Sequence, residues 1–153
     1  MKSFLSKLKT AIGKPNASKV LNDDSYIEGI INSIEQPPFA VSDENVCYAS
    51  SNELAGYYYL QTIIVGKFKI KTFNGAQLLI KGHDFELELE SEMMELESEL
   101  SNVPKSYMTR IDFVLDEKDV PKINKSKINS LKLSAKKQSV AFTIIVQSND
   151  EEE

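Results

Sequence analysis

Residues 66–90 read GKFKIKTFNGAQLLIKGHDFELELE, and the reading of this stretch decides the fold class. Apolar and charged residues alternate through Phe68, Ile70 and Thr72, and again through Phe85, Leu87 and Leu89, which is the period of a half-buried strand. Two turn signals divide the stretch: Asn74-Gly75 is a strong hairpin dipeptide, and Gly82-His83 suits a two-residue turn with glycine first. A two-residue loop at the first signal would mix the faces of its strands. A three-residue loop with Gly75 in the left-handed position sets Ile70 opposite Leu78 and Phe68 opposite Ile80, and it is preferred because a one-residue slip turns apolar side chains to water. The second turn then pairs Lys81 with Asp84, Ile80 with Phe85, Leu78 with Leu87 and Ala76 with Leu89. The prediction is a three-stranded antiparallel meander with one apolar face. Its other face carries Lys67, Lys69, Lys71, Gln77, Leu79, Lys81, Asp84, Glu86 and Glu88, so the lysines stand near the acids.

Downstream, every charge from Asp84 to Glu99 is negative. Leu89, Met93, Leu96 and Leu100 fall at helical spacing, but Glu86/Glu90, Glu88/Glu92 and Glu95/Glu99 would repel at i,i+4 with no lysine to offset them. Alternation also resumes one residue out of phase after Met93, as a bulge or tight turn would produce, so the segment is read as strand. Further strands are predicted at 108–115, with Thr109, Ile111, Phe113 and Leu115 on one face, at 130–135 and at 139–147. The last is apolar on both faces and therefore central. Residues 116–129 are expected to hold a short helix.

Upstream, YYYLQTIIV from Tyr57 is aromatic and β-branched, which favours a strand; a helix starting at residues 50–53 competes for its first half. Gly66 reads as a bulge or turn. Residues 36–53, rich in Pro, Ser, Asn and acid, read as irregular. A helix is predicted at 25–35, with a buried stripe of Ile27, Ile30, Ile31 and Ile34, a capping box from Ser25 and Glu28, and a stop at Pro37 and Pro38. Another is predicted at 3–12 from Phe4, Leu5, Leu8, Ala11 and Ile12, ended by Gly13 and Pro15. The fold class is α+β: N-terminal helices followed by a mainly antiparallel sheet, with curvature into a sandwich or partial barrel as the alternative. Residues 1–148 are expected to form one domain, with a helical part at 1–35 and a β-rich part at 57–147. An acidic tail at 149–153 is expected to be disordered.

The 153 residues carry a formal net charge of −5, which argues against nucleic acid as a partner, where a basic footprint is required. Cys47 is the single cysteine, so an intrachain disulfide is impossible, and with no His or Lys beside it a buried, unreactive thiol is expected. The lysine-bearing start MKSFLSKLKTAIGK is a poor signal peptide, and no segment reaches membrane-spanning length. A cytoplasmic location is the expectation, and the sequons at Asn16 and Asn124 are read as chance matches. The basic stretch at 2–12 is expected to pack on the sheet, with contact to a membrane surface as the lesser alternative.

His83, the single histidine, is predicted at a turn tip without a partner for acid–base work. No spacing for a zinc site is present, and the cluster Asp112, Asp116, Glu117 and Asp119 lacks the glycine of a calcium loop. Phosphate-loop, dinucleotide, nucleophile-elbow and zincin motifs are absent. No catalytic residue, metal or cofactor is assigned. A non-catalytic binding or scaffold domain with a protein partner follows as the expected function. Two alternatives are an acidic inhibitor or immunity-type protein that engages a basic protein, and a hydrolase built on paired carboxylates. With the first acids of the run facing lysines, the partner-binding face is expected at Glu92, Glu95, Glu97 and Glu99.

Overall fold

Helix α1 (Ala17–Ser33) opens the computed structural model, which describes residues 17–146, with side chains from Ser25. Ile27, Ile30 and Ile31 are buried and Ile34 is half-buried, so the expected stripe is the one that packs. The helix begins eight residues before Ser25, so the predicted capping box lies inside it. Asp23, Asp24 and Ser25 each cost only a few tenths of a kcal/mol in a helix interior, too little to start a new helix there. The predicted helix at 3–12 and the acidic tail lie outside the described residues. No described helix is long and apolar enough to cross a membrane.

Residues 36–53 are not irregular as predicted. They hold β1 (Ala40–Val41) and most of β2 (Asn45–Leu54). A two-residue turn at Ala55 and Gly56, with φ of 54° and 87°, joins β2 to β3 (Tyr57–Gly66) along a ten-pair register from Asn45↔Gly66 to Leu54↔Tyr57. The far half of β2 is polar because this hairpin projects into solvent; the pairing holds it extended, and the competing helix does not form.

Nine strands make one antiparallel sheet. With β4 (Lys71–Thr72), β5 (Gln77–Gly82), β6 (Glu86–Glu90), β7 (Leu96–Glu97), β8 (Glu99–Leu100), β9 (Tyr107–Leu115), β10 (Ile128–Ala135) and β11 (Gln138–Ile144), its order is β6-β5-β10-β11-β1-β2-β3-β9-β8. The sheet curls until its margins meet: Ser91, just past β6, bridges Phe113 of β9, and the Glu92 amide donates to the Asp112 carbonyl at 2.8 Å. A register shift between Ile128 and Ser130 in β10 adds to the curl. Thr109, Ile111, Phe113 and Leu115 face the interior as predicted, joined by Leu60, Ile64, Leu78, Ile80, Leu131, Leu133 and Phe142. Strand β11 is central by pairing, but Ser139, Ala141 and Thr143 are exposed, so only one of its faces is buried.

The predicted hairpin between residues 68–72 and 76–80 does not form. Strand β4 pairs instead with β7, through Lys71↔Glu97 and Thr72↔Leu96, as a separate two-stranded ribbon. Phe68, Ile70 and Thr72 still point inward. An inward-facing pattern is satisfied at any place around a curled sheet, so it does not select the neighbour. The turn at Gly75 exists (φ 75°) but carries the chain across from ribbon to sheet. The lysines of residues 67–71 are thus removed from Asp84, Glu86 and Glu88. Lys71 faces Glu97, while Lys67 and Lys69 lie over the rings of Tyr26 and Tyr107 at 4.8 and 5.0 Å.

The next hairpin is real but its register is displaced by two residues. Lys81 pairs with Glu86, Ile80 with Leu87 and Leu78 with Leu89, around a turn closed by the Gly82 amide donating to the Phe85 carbonyl at 2.8 Å. A two-residue shift keeps every side chain on its predicted face. Phe85 folds back over Gly82 and packs on the core. Past β6 the chain stays extended in short pieces and no helix forms over residues 90–100. The predicted helix within residues 116–129 is two short 3-10 turns, Glu117–Lys122 and Lys125–Lys127.

Outside the curl, α1 covers Val41, Val46, Tyr48, Val65 and Ile145. The Tyr48 hydroxyl is buried there and meets no hydrogen-bond partner among the described residues. A buried donor left unmade carries a desolvation penalty, so Tyr48→Phe is expected to stabilise the fold by about 1 kcal/mol. Urea unfolding should show a higher midpoint at unchanged slope; a clear loss of stability would mean that the hydroxyl is bonded after all.

Candidate interaction surface

Helix α1 shields only part of the outer face of β2, β3 and β9. Toward the hairpin tip the alternation of these strands brings Leu54, Asn52, Tyr57, Tyr59, Gln61, Asp112 and Val114 to that same outer face. Leu54 is paired with Tyr57, while Tyr59 is flanked by Asn52 on one side and Val114 on the other. Leu54, Tyr57 and Val114 are 58%, 68% and 49% exposed, and Tyr59 is half-buried. A row of exposed tyrosine and aliphatic side chains on a hydrogen-bonded sheet costs solvation and is rigidly presented, as binding surfaces are.

Acids border this row. The Ser91–Phe113 bridge sets Glu92 beside Asp112, and by the same alternation it sets Glu90 beside Val114. The Tyr59 phenol is held above its usual range by partial burial first, then by the charges of Glu92, Tyr57 and Asp112, so the Glu92 carboxylate lies close to it. The Asp112 Oδ1 is buried and accepts no hydrogen bond from the described residues. Arg110 is exposed two residues further along β9, opposite Ile63 and toward the helix.

The predicted acidic face is divided by this arrangement. Glu92, Glu95, Glu97 and Glu99 are all exposed, but only Glu92 reaches the tyrosine row. Glu97 faces Lys71 on the ribbon, Glu99 pairs with Met108, and Glu95 lies in the loop with exposed Met93 and Met94. Met94 is tied to the Gly75 amide at 2.8 Å, which brings exposed Phe73 to the same loop cluster. Tyr57, Tyr59, Leu54 and Val114 were missed by sequence reasoning. The run YYY was legible as strand, but which of its tyrosines faces out is set by β9 and α1.

His83 is exposed in its turn, as predicted, with its amide donating to Lys127. Cys47 is buried in the interior. Asp119, the buried carboxylate of the expected loop cluster, is bonded to Lys122 Nζ at 2.7 Å. No group of three or more metal-ligating side chains is found among the described residues. A shallow depression of about 430 Å³ between residues 74–77, 90–94 and 134–139 contains one carboxylate, Glu90, which is exposed. Comparison with protein-family models, with curated proteins and with solved structures gives no match.

Proposed function

We propose that this chain is a non-catalytic binding module whose protein partner docks on the outer face of β2, β3 and β9. One observation carries the reading: Leu54, Tyr57 and Val114 stand exposed in one patch with Tyr59, beside a helix that covers another part of that face. Tyrosine supplies large contact area with few rotatable bonds, so its ordering on binding costs little. The hydrolase reading has less support. Asp43, Glu44, Glu90, Asp116 and Glu117, carboxylates that border concave parts of the surface, are all exposed, whereas an acid catalyst requires a desolvated carboxyl.

Affinity capture with the native chain and with Tyr57→Ala and Val114→Asn variants tests the proposal. Both positions are exposed, so the variants should keep the native stability. A partner retained by the native chain and lost with both variants is the expected result. Capture indifferent to both, or turnover of any substrate in a broad hydrolase screen, would overturn it.

A further inference from the structure

The chemistry of the partner can be read from the border of this patch, on the premise that the patch is the docking face. Three groups on the seam between β6 and β9 are acidic: Glu90, Glu92 and Asp112. None of them is in an ion pair among the described residues. Among the described residues Glu92 lies beside the Tyr59 phenol with no cation on it, and one oxygen of Asp112 is buried without a donor. Several of the described lysines are held by other groups. Within the basic stretch 118–137, Lys122 is bonded to Asp119, Lys127 to the Pro121 carbonyl and Lys136 to the Lys71 carbonyl. Lys125 likewise donates to the Pro38 carbonyl and stands over the Phe39 ring. Among the described residues the acids beside the tyrosines thus have no salt-bridge partner, although exposed Arg110 stands on the same face two residues from Asp112.

We infer that the occupant of this face is a basic amphipathic segment of a protein partner, with an apolar anchor over Leu54, Tyr57 and Val114 and arginine or lysine at Glu90, Glu92 and Asp112. Two features select a cation independently. The carboxylates attract it, and the faces of Tyr57 and Tyr59 accept a guanidinium or ammonium by cation–π contact. The same acids repel an anionic membrane surface, which makes lipid the disfavoured occupant. From β2 to the seam is three strand spacings, about 14 Å. That separation corresponds to about two and a half turns of helix, so anchor and cation are expected about nine residues apart in a helical partner. The site is not the predicted run at Glu92, Glu95, Glu97 and Glu99. It shares Glu92 with that run and takes its apolar half from strands elsewhere in the sequence.

Isotope-labelled full chain is titrated with two labelled 18-residue helical peptides that share one apolar stripe, one with a lysine and arginine polar face and the other with glutamate. Vesicles of phosphatidylserine serve as the third probe. The expected result is binding of the basic peptide alone, with NMR shifts centred on Tyr57, Tyr59, Glu92 and Val114. The affinity should fall about tenfold or more in Glu90→Lys/Glu92→Lys, and several-fold between 50 and 300 mM salt. Both glutamates are exposed, so this variant should fold. Equal binding of the acidic peptide at the same face, or salt-insensitive binding, overturns the basic partner while the docking face stands. Shifts centred elsewhere, binding of neither peptide, or vesicle binding stronger than peptide binding also overturn it. Those outcomes bear on the partner's chemistry, whereas the Tyr57→Ala capture judges the face itself.

Discussion

Gly66→Ala is expected to destabilise the fold by about 3–5 kcal/mol. Gly66 ends β3 with φ of 155°, a conformation that side chains rarely adopt. A Cβ there would also collide with the Glu44 carbonyl oxygen and sit 2.7 Å from the Asn45 Cα, both backbone atoms that cannot swing aside. The junction is built from this close approach. Lys67 donates from its amide to the Glu44 carbonyl at 3.1 Å, and the buried Asn45 side chain accepts the Phe68 amide at 2.8 Å. Together these bonds turn the chain out of β3 toward the ribbon. A melting temperature lower by roughly 10 °C is the corresponding readout for a chain of this size. Gly56→Ala is the control, since φ there is 87° but no atom lies within 4 Å of an added Cβ. It should cost about 1–2 kcal/mol from the backbone conformation alone. Equal losses for the two variants would show that the contact with Glu44 and Asn45 does not govern the cost.

The second large effect is chemical. Cys47 is 2% exposed, and burial pushes its thiol up to about 12. Only the thiolate attacks a disulfide reagent, so at pH 8 the folded chain should react on the order of 10³-fold more slowly than the chain in denaturant. Prompt stoichiometric labelling of the folded chain would refute this. Its neighbour Tyr48 is also pushed up to about 12, by burial first and then by the Cys47 charge. Both groups stay protonated in the fold when the unfolded chain has already ionised. Stability is therefore undiminished by them below about pH 9 and falls as pH rises from there toward 12. The loss is on the order of 5 kcal/mol for the two together, comparable to the whole stability of many domains. Urea midpoints measured from pH 7 to 11 should fall accordingly, and in Cys47→Ala the part of the fall that starts near pH 9 should vanish. Flat midpoints up to pH 11 would remove the argument.

Legibility in the sequence followed the range of the interaction that had to be known. The stripe Ile27, Ile30 and Ile31, the inward set of β9 and the strand at Tyr57 were all readable, because each depends on a period within one element. The turns at Asn74-Gly75 and Gly82-His83 were readable as turns. Their partners were not: β4 went to β7, and the β5–β6 register moved by two residues. Alternation is blind to a two-residue shift, and a turn does not state which strand comes next around a curl. The polar strand β2 was read as irregular because the criterion was composition, while the force holding it extended is its ladder to β3.

By itself the sequence determined the mainly antiparallel class, the inward faces of the long strands, the buried thiol and the density of acid at residues 84–99. These follow from side-chain period and solvation, which are local properties. The tertiary structure alone decided which acids remain uncompensated and what stands beside them. Glu97 was set opposite Lys71 in the ribbon register, whereas Glu92 was carried beside Tyr59 and Asp112 by the bridge that closes the curl. The proposed docking face joins residues from β2, β3, β9 and the seam, over 60 positions of chain, because pairing between distant strands sets which side chains share a surface.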